Sequence, residues 1–328
     1  MAKYLVKRLL YMVLVFFVMS FVLFWLYNLI PGDPVASQLA PLKDQLTPEE
    51  YQARYDAMRS RLGLDDPLPI RYKKWISNVL KLDFGESSLH RRDVKEVMKH
   101  PLKLTITMNI FVVLICLAIT IPLGINCAIK RGSTFDKITQ VLTVVGYSVP
   151  IFIISLFFIF IFAVKLGWFP VSGLRTPNFQ GEGFSKTLDM YWHLTLPLAI
   201  IIFSSLGSMT RYVRAAMIDA LGMDCIKTAR AKGVKEKVVI YSHAWRNALL
   251  PVVTLIIGWL MSLFSGSLVI EQTFSLPGMG WTYIRALTNL DYNLALAVQM
   301  MYIIIALLTN VLSDIAYGIV DPRVRVSK

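Results

Sequence analysis

The sequence predicts an all-α integral membrane protein with six transmembrane helices and a small extracytoplasmic helical insertion after the first of them. Of its 328 residues 55% are hydrophobic, and the mean hydropathy is +0.57. Several apolar runs exceed the roughly 20 residues that a helix needs to cross about 30 Å of hydrocarbon. Because lipid cannot hydrogen-bond the backbone, and no run alternates with a period of two, these runs are predicted to be helices rather than barrel strands.

Hydropathy also divides the chain into four parts. The predicted spans are residues 9–30, 103–129, 138–164, 193–210, 248–272 and 293–319. The parts are a stub with the first span (1–30), the insertion (31–102), a five-helix core (103–320) and a tail (321–328). The first apolar stretch is longer than the roughly 7–15 residues of a signal-peptide core, so we expect it to be retained. Four prolines should be tolerated in or at the ends of spans, because neighbouring helices can satisfy the freed carbonyls: Pro122, Pro150, Pro197 and Pro251.

Basic residues in the short loops predict the orientation. One side of the membrane receives both termini, the loop near residue 130 and segment 211–246. Its basic residues are Lys3, Lys7, Arg8, Lys130, Arg131, Lys137, Arg211, Arg214, Lys227, Arg230, Lys232, Lys235, Lys237, Arg246, Arg323, Arg325 and Lys328. The other side has few in its short loops, namely Lys165, Arg175, Lys186 and Arg285. Both termini are therefore predicted to be cytoplasmic. The same bias explains the net charge of +13, so no nucleic-acid partner is predicted.

The insertion is predicted to be ordered. Thr47 precedes Pro48, and Glu50 follows three residues after the threonine, which is the pattern of a capped helix start. Apolar residues then recur at helical spacing until Gly63 ends the helix. A second helix is predicted from Pro69 to Leu82. The sequence leaves open whether this small cap seals a pore, meets a partner or packs on the bundle as a solvated loop.

The sequence contains no catalytic, metal-binding or cofactor motif. Gly222–Thr228 superficially resembles a phosphate-binding loop, but it lacks the second glycine and follows no strand. The first four spans hold no charged residue between their ends, so no internal ion-coupling site is predicted. Glu271 and Asp314, near the ends of the last two spans, are interpreted as surface-level caps or ion-pair partners. All three cysteines are interpreted as packing residues: Cys116, Cys127 and Cys225.

Polar side chains inside the spans are candidates for lining a path across the membrane. They are Asn109, Ser204, Ser205, Ser208, Ser262, Ser265 and Ser267. Such residues more often bond to a neighbouring helix or to their own backbone. The sequence alone does not separate these two roles.

Segment 211–246 is the most informative stretch, because it is long, basic and predicted to be cytoplasmic. Its core, C-I-K-T-A-R-A-K-G, predicts a short helix over residues 226–232 that Gly233 ends with a positive φ. Small residues there allow close approach of another protein, and basic ones can pair with its carboxylates: Ala229, Ala231, Arg230 and Lys232. An ordinary positive-inside loop has a similar composition, so composition leaves both interpretations open.

This segment resembles the cytoplasmic EAA loop of permeases in binding-protein-dependent ABC importers, in the version of the oligopeptide, dipeptide and nickel branch. T-A-R-A-K-G at Thr228–Gly233 is followed by R-N-A-L-L-P at Arg246–Pro251. Lys227 and Thr228 replace the generic Glu-Ala, and the gap to Leu-Pro is longer, which are both features of the peptide branch. Further landmarks of the first of the two paired peptide permeases follow in order along almost the whole chain. They are P-G-D-P at 31–34, L-G-L-D-D-P-L-P at 62–69, D-F-G at 83–85, S-V-P at 148–150, F-S-L-P-G-M-G at 274–280 and D-P-R at 321–323.

The resemblance implies a type I ABC importer transmembrane domain and a division of labour between subunits. The coupling helix would comprise Lys227, Thr228, Ala229, Arg230, Ala231, Lys232 and Gly233. It would seat in a groove of one of two separate nucleotide-binding ATPase subunits, which bind the ATP and Mg, while this chain holds no cofactor. A second homologous permease subunit would complete the pore, and an extracytoplasmic binding protein would deliver the peptide. An extracytoplasmic gate turn would lie at the mouth of the pore: Pro277, Gly278, Met279 and Gly280.

The resulting interpretation is a multi-pass subunit of a bacterial inner membrane that passes peptides to the cytoplasm and hydrolyses no ATP itself. A nickel or other small-solute importer of the same branch is one alternative, although the sequence supplies no ligand set for nickel inside the bundle. A self-sufficient secondary carrier or channel is an alternative from a different class. Peptide length and side-chain preference do not follow from the sequence.

Overall fold

The computed structural model describes residues 2–320, and within them all side chains except those of residues 2–5, 250, 254, 260, 261 and 314–320. The Asp321–Arg323 motif, the predicted tail and the side chain of Asp314 therefore lie outside the described residues. Across the part that is described, the chain is helical apart from loops and one antiparallel strand pair, β1 (Glu86–Ser87) with β2 (Arg92–Asp93).

The helices alternate between long apolar ones and short connecting ones. In chain order they are α1 (Ala2–Leu29), α2 (Pro34–Leu39), α3 (Pro48–Arg61), α4 (Leu68–Leu80), α5 (Val94–Ile129), α6 (Thr134–Ser148), α7 (Ile151–Phe158), α8 (Phe184–Leu221), α9 (Asp224–Ala231), α10 (Glu236–Val238), α11 (Trp245–Met261), α12 (Leu268–Thr273), α13 (Met279–Thr288) and α14 (Tyr292–Val320). Short 3₁₀ segments cover Ala40–Leu42 and Ser262–Phe264, and π-helical turns cover Ile159–Lys165 and Val239–Ala244.

Four helices, α1, α5, α8 and α14, are long and apolar enough to cross a membrane. The number rises to six if each of two bent helix pairs counts as one span. The predicted number of six is therefore reached only if the bent pairs, at 134–165 and 236–264, each cross once.

The third predicted span, 138–164, is wrong as a continuous helix. Helices α6 and α7, with the π-helical turn that follows, meet at an angle of 105°. Val149 at the break is extended, with ψ 128°, and Pro150 follows with ψ 132°. Proline has no N–H to donate and disfavours the helical conformation in the residue before it, so the helix ends there.

The fourth and fifth spans also differ from the prediction. Helix α8 continues past residue 210 to Leu221, so the first part of segment 211–246 is helical. The fifth span, predicted as 248–272, stops at Met261, and helix resumes only at Leu268. The intervening backbone at 262–267 is a 3₁₀ turn and coil, which leaves carbonyl groups outside any regular helix.

The described chain forms two compact units, one made of residues 2–103 with Gly278–Leu308, the other of Leu104–Pro277 with residues 309–320. In the first unit, aromatic residues attach the insertion to α1. The ring of Phe24 lies 5.6 Å from Tyr72 and 5.2 Å from Trp75 of α4, and Ser20 Oγ lies 2.8 Å from the Tyr72 hydroxyl. The insertion is therefore packed on α1 rather than loose.

The predicted start and end of the first insertion helix are confirmed. Thr47 Oγ1 accepts a hydrogen bond from the Glu50 amide, and the Glu50 carboxylate accepts one from the Thr47 amide. Gly63 follows the helix with φ +65°. The second predicted helix is also confirmed, as α4.

A buried carboxylate fixes the strand pair of the insertion to the start of α14. Asp291, fully buried, accepts hydrogen bonds from Ser87 Oγ at 2.5 Å and from the Leu89 amide at 3.1 Å. Its other oxygen lies 3.3 Å from the amide of Leu294 in the first turn of α14. Polar contacts to α14 therefore add to the aromatic contacts to α1 in holding the insertion within the first unit.

The second unit contains two apolar clusters. One, centred on α8, also includes residues of α5, α9, the Val239–Ala244 turn and α11. The other joins α5, α7, the first half of α8 and α12 around the fully buried Leu194, Ile200 and Ile270. The first cluster positions the short helix α9, and the second lies beside the interrupted fifth span.

Candidate functional site

The predicted short basic helix is confirmed as α9, and its end is built as predicted. Gly233 has φ +73°, a conformation that side chains other than glycine rarely adopt. Its amide donates to the Arg230 carbonyl at 2.9 Å, and the Val234 amide donates to the Ala229 carbonyl at 3.2 Å. This pair of bonds is a Schellman motif, which satisfies carbonyls that the last helical turn leaves open.

One face of α9 is buried in the chain's own core. Ile226 is fully buried, and Ala229 is 9% exposed, against the α8 stretch Met209–Ala220 and the Val239–Ala244 turn. The expectation that Ala229 serves close approach of another protein is therefore wrong, because its small side chain faces this chain's own cluster. We name α9 together with these two packed segments the coupling block.

The opposite face of α9 is exposed and basic. It presents Lys227, Thr228, Arg230, Ala231 and Lys232. Two of these cations are already paired within the chain: Lys227 Nζ lies 2.9 Å from Asp224, and Arg230 makes two contacts to Glu236, at 2.5 and 3.1 Å. The Arg230 pair raises the pKa of the guanidinium and lowers that of the Glu236 carboxyl. Lys232 has no ion-pair partner among the residues that the structure describes.

The cysteines divide between core and surface. Cys116 and Cys127 are buried, as predicted, whereas Cys225 in the first turn of α9 is exposed. The interpretation of Cys225 as a packing residue is therefore wrong. Its thiol lies on the segment that the resemblance assigns to subunit coupling, and it is the exposed one of the three.

Four of the candidate path residues line one cavity of about 200 Å³. They are Asn109, Ser205, Ser262 and Ser265, together with the apolar side chains Val112, Val113, Ile201 and Trp259. Of the others, Ser208 Oγ points to the Ser205 carbonyl at 3.5 Å, and Ser204 Oγ is buried without a hydrogen-bond partner among the described residues. The structure thus separates Ser204 and Ser208 from this cavity.

Asn109 explains how the fifth span can be interrupted beside the cavity. Its Nδ2 lies 3.0 Å from each of the carbonyl oxygens of Ser262, Leu263 and Ser265. Unwound backbone at membrane depth is stable only where protein or a polar cavity satisfies its hydrogen-bonding groups. The side-chain amide does so here, and it brings backbone carbonyls to the cavity wall, as in the broken helices of transporters.

The interpretation of Glu271 as a surface-level cap is wrong, whereas its alternative interpretation as an ion-pair partner stays a prediction. Its side chain is 3% exposed, so it is not a surface-level cap. Thr105 Oγ1 lies 3.5 Å from its carboxylate, and both residues line a small niche together with Asn109 and Ser267. An acidic residue in an apolar helix was the signal, because a charge at membrane depth is costly and usually faces the interior of a bundle.

The predicted gate turn is partly buried. Gly278 and Gly280 are buried and Met279 is fully buried, whereas Pro277 is exposed. Gly278 precedes the first turn of α13, where its carbonyl accepts a hydrogen bond from Thr282 Oγ1 at 2.8 Å. The turn is therefore an ordered start to α13.

These features together define the class of a helical transporter subunit: a multi-pass bundle, a polar cavity at an interrupted span and a short basic helix on a packed block. Residues 120–326 match the family described as binding-protein-dependent transport system inner membrane component. Residues 1–109 match the N-terminal family of the same transport-system membrane components. The chain belongs to this family, whose fold is the type I ABC importer membrane domain, and it is a permease subunit of the bacterial inner membrane.

Similar proteins cover most or all of the chain. The oligopeptide transport system permease protein AppB of Bacillus subtilis is 33% identical over 325 residues, which is 99% of each chain. The peptidoglycan transport system permease protein YejB of Agrobacterium fabrum is 34% identical over 271 residues, 81% of this chain and 74% of its own. The inner membrane ABC transporter permease protein YejB of Escherichia coli O157:H7 is 34% identical over 268 residues, 80% and 74%.

Proposed function

We propose that this chain is one of two pore-forming permease subunits of an ATP-driven peptide importer. The observation that carries the proposal is α9, a short helix whose apolar face is locked into its own bundle and whose basic face is left to solvent. Such a helix can transmit movement, because a force on its exposed face must move α8 and α11 with it. The name of the full-length relative AppB supports oligopeptides as the substrate class.

In this proposal the other subunits supply the energy and the substrate. Two nucleotide-binding ATPase subunits hold ATP and Mg, and one of them receives α9 in a groove. A second, homologous permease completes the pore, and an extracytoplasmic binding protein delivers the peptide. Both termini and segment 211–246 face the cytoplasm, and the turn Pro277, Gly278 and Gly280 lies at the extracytoplasmic mouth.

The cavity around Asn109 is the proposed part of the peptide path on this chain. A peptide carries backbone amides and carbonyls that need partners once water is removed. The serine hydroxyls, and the second lone pair of each carbonyl that Asn109 contacts, can provide such partners without selecting a side chain. Val112, Val113, Ile201 and Trp259 complete an apolar wall that suits varied side chains.

The exposed thiol of Cys225 allows a direct test of the coupling claim. Benzophenone maleimide is attached to the assembled importer, in which buried Cys116 and Cys127 should stay unlabelled, and the complex is irradiated with and without ATP. We expect a covalent adduct with an ATPase subunit, and none in Cys225→Ser. Labelling of Cys225 without any adduct at any stage of ATP turnover would contradict the proposal.

Substrate class is tested by uptake into proteoliposomes that contain the whole complex. Labelled oligopeptide, a peptidoglycan fragment and Ni²⁺ are compared, each with its loaded binding protein, and ATP hydrolysis is followed in parallel. We expect peptide uptake that requires ATP. Preferred uptake of the peptidoglycan fragment or of Ni²⁺ would show that oligopeptides are not the substrate class. Uptake driven by an ion gradient without ATP would show that the protein is a secondary carrier and not an ATP-driven importer.

A further inference from the structure

An ion pair between a buried carboxylate and a partly exposed guanidinium joins α6 to the coupling block. Arg214 Nε and Nη2 each lie 2.7 Å from an oxygen of Asp136, whose side chain is 4% exposed. Arg214 belongs to Met209–Ala220, the stretch of α8 that packs on α9. A bidentate contact of this kind fixes both distance and angle between its partners. The first half of the third span is therefore attached to the block that carries α9.

The contact between α6 and α8 continues in antiparallel register. Seven residues along α6 from Asp136 lies Thr143, and seven residues back along α8 from Arg214 lies Gly207. These two touch so closely that a Cβ added to Gly207 would overlap the Thr143 carbonyl. The glycine thus brings the two backbones into direct contact, with the ion pair two turns away.

Between these two contacts the register places Gln140 of α6 opposite Thr210 of α8. Each is four residues from its end of the ion pair. Gln140 Nε2 and Thr210 Oγ1 are both buried, and neither has a hydrogen-bond partner among the residues that the structure describes. Buried polar atoms without partners are rare in native proteins, because they have lost water without replacing it. The Gln140 amide can donate and the Thr210 hydroxyl can accept, but the two do not bond in this structure. A second arrangement of the interface, in which they do bond, would account for both groups.

We propose that the α6–α8 interface is a two-position joint of the transport cycle, held by the Asp136–Arg214 ion pair and completed in its other position by a Gln140–Thr210 hydrogen bond. The inference rests on the proposed role of α9. Movement of α9 carries α8, and the ion pair passes that movement to α6. Asp136 and Arg214 are then positioning residues for transport, and none of the four side chains needs to touch the peptide.

The ion pair is tested in the reconstituted importer by comparing Asp136→Asn with the double variant Asp136→Asn, Arg214→Gln. Uptake per assembled complex, basal ATP hydrolysis, its stimulation by loaded binding protein and thermal unfolding are measured. The single variant leaves the partly buried Arg214 cation unpaired and should lower both stability and uptake. The double variant removes both charges and should recover thermal stability, while uptake and stimulation stay about tenfold low because the rigid contact is gone.

Recovery of uptake together with stability in the double variant would overturn the joint, since the pair would then serve folding alone. Arg92→Gln, which breaks an exposed pair with Glu96, is the control and should change neither quantity. If Cys225 of the parent complex formed no adduct with an ATPase subunit, that result would instead contradict the proposed function, so the two failures are distinguishable.

The hydrogen bond is tested by Thr210→Val, which keeps the shape of the side chain and removes the hydroxyl. Loss of an unpartnered buried hydroxyl should raise the thermal unfolding temperature, whereas loss of its bond in the other position should lower uptake about fivefold. Thr210→Ser should restore uptake. Thr195→Val on the same helix is the control, because that hydroxyl is exposed and bonds its own backbone. Unchanged uptake in Thr210→Val would overturn the second arrangement.

Discussion

Helices α3 and α9 end in the same way but are anchored differently. Each is followed by a glycine with positive φ, Gly63 at +65° and Gly233 at +73°, and by the same two backbone hydrogen bonds. Helix α3 buries none of its residues and is attached through polar side chains, such as the Tyr55 hydroxyl on the Asp33 carboxylate. Helix α9 buries Ile226 and Ala229 in the core.

The difference shows what the proposed coupling role of α9 requires beyond a helix signal. Polar attachment at a surface can yield when a force is applied, because each bond exchanges readily with water. Close packing cannot yield without opening a cavity, so it transmits displacement. The same local motif therefore ends an exposed helix in the insertion and a core-packed helix in segment 211–246, and only the second suits the proposed lever.

Removing the packing of α9 should produce the largest effect. Ile226→Ala deletes a fully buried side chain and should destabilise the coupling block by about 2–4 kcal/mol. Uptake by the reconstituted complex should fall by a larger factor than the unfolded fraction of the protein accounts for. Met58→Ala on α3 is the comparison and should cost less than about 1 kcal/mol. Equal losses in the two variants would abolish the distinction between the helices.

Replacing the two glycines tests whether the same local strain has different consequences. Gly63→Val and Gly233→Val each force a β-branched residue to positive φ, at a cost of about 1–2 kcal/mol. Only Gly233→Val should uncouple ATP hydrolysis from uptake, with membrane insertion intact. A similar loss of uptake in Gly63→Val would mean that the insertion is equally part of the coupling path.

Charge on the exposed face should have a smaller effect. Lys232→Glu reverses the charge of the basic residue that has no ion-pair partner within the described part of the chain. It should lower uptake several-fold, since an exposed pair is worth up to about 1 kcal/mol. Raising the salt concentration should reduce the difference in uptake between the variant and the parent protein. Arg54→Glu on α3 is the matched control. An equal loss of uptake in that variant would contradict a charge effect specific to α9.

Lowering the pH should weaken the attachment of α3 before that of α9, and this is the smallest expected effect. Burial raises the pKa of Asp33, but hydrogen bonds from Tyr55 and from the Val35 and Ala36 amides outweigh it and hold that pKa below its ordinary 3.8. A lowered native pKa means that the stabilisation is present above the ordinary value and is lost as pH falls through the native one. Amide exchange of the insertion should therefore quicken below about pH 4, and in Asp33→Asn it should already be fast at neutral pH.

Local signals account for the features that the sequence predicted well. The start of α3 at Thr47, the end of α9 at Gly233 and the apolar spans each depend on residues within a few positions of one another. Helix caps and hydropathy act at that range, so a linear pattern contains the relevant contacts. The family resemblance carried by the coupling segment and its ordered landmarks is likewise a property of the linear sequence.

Other features depend on residues far apart in the chain, and no linear pattern contained them. Asn109 satisfies carbonyls more than 150 positions away at the interrupted fifth span, Glu271 is buried beside Thr105, and Asp136 meets Arg214 across 78 positions. The sequence by itself determined which segments are helical, where several begin and end, and which family they resemble. Only the tertiary structure decided which face of α9 is buried, what stabilises the interruption of the fifth span and which polar groups meet, because these outcomes depend on packing between distant helices rather than on neighbours in the chain.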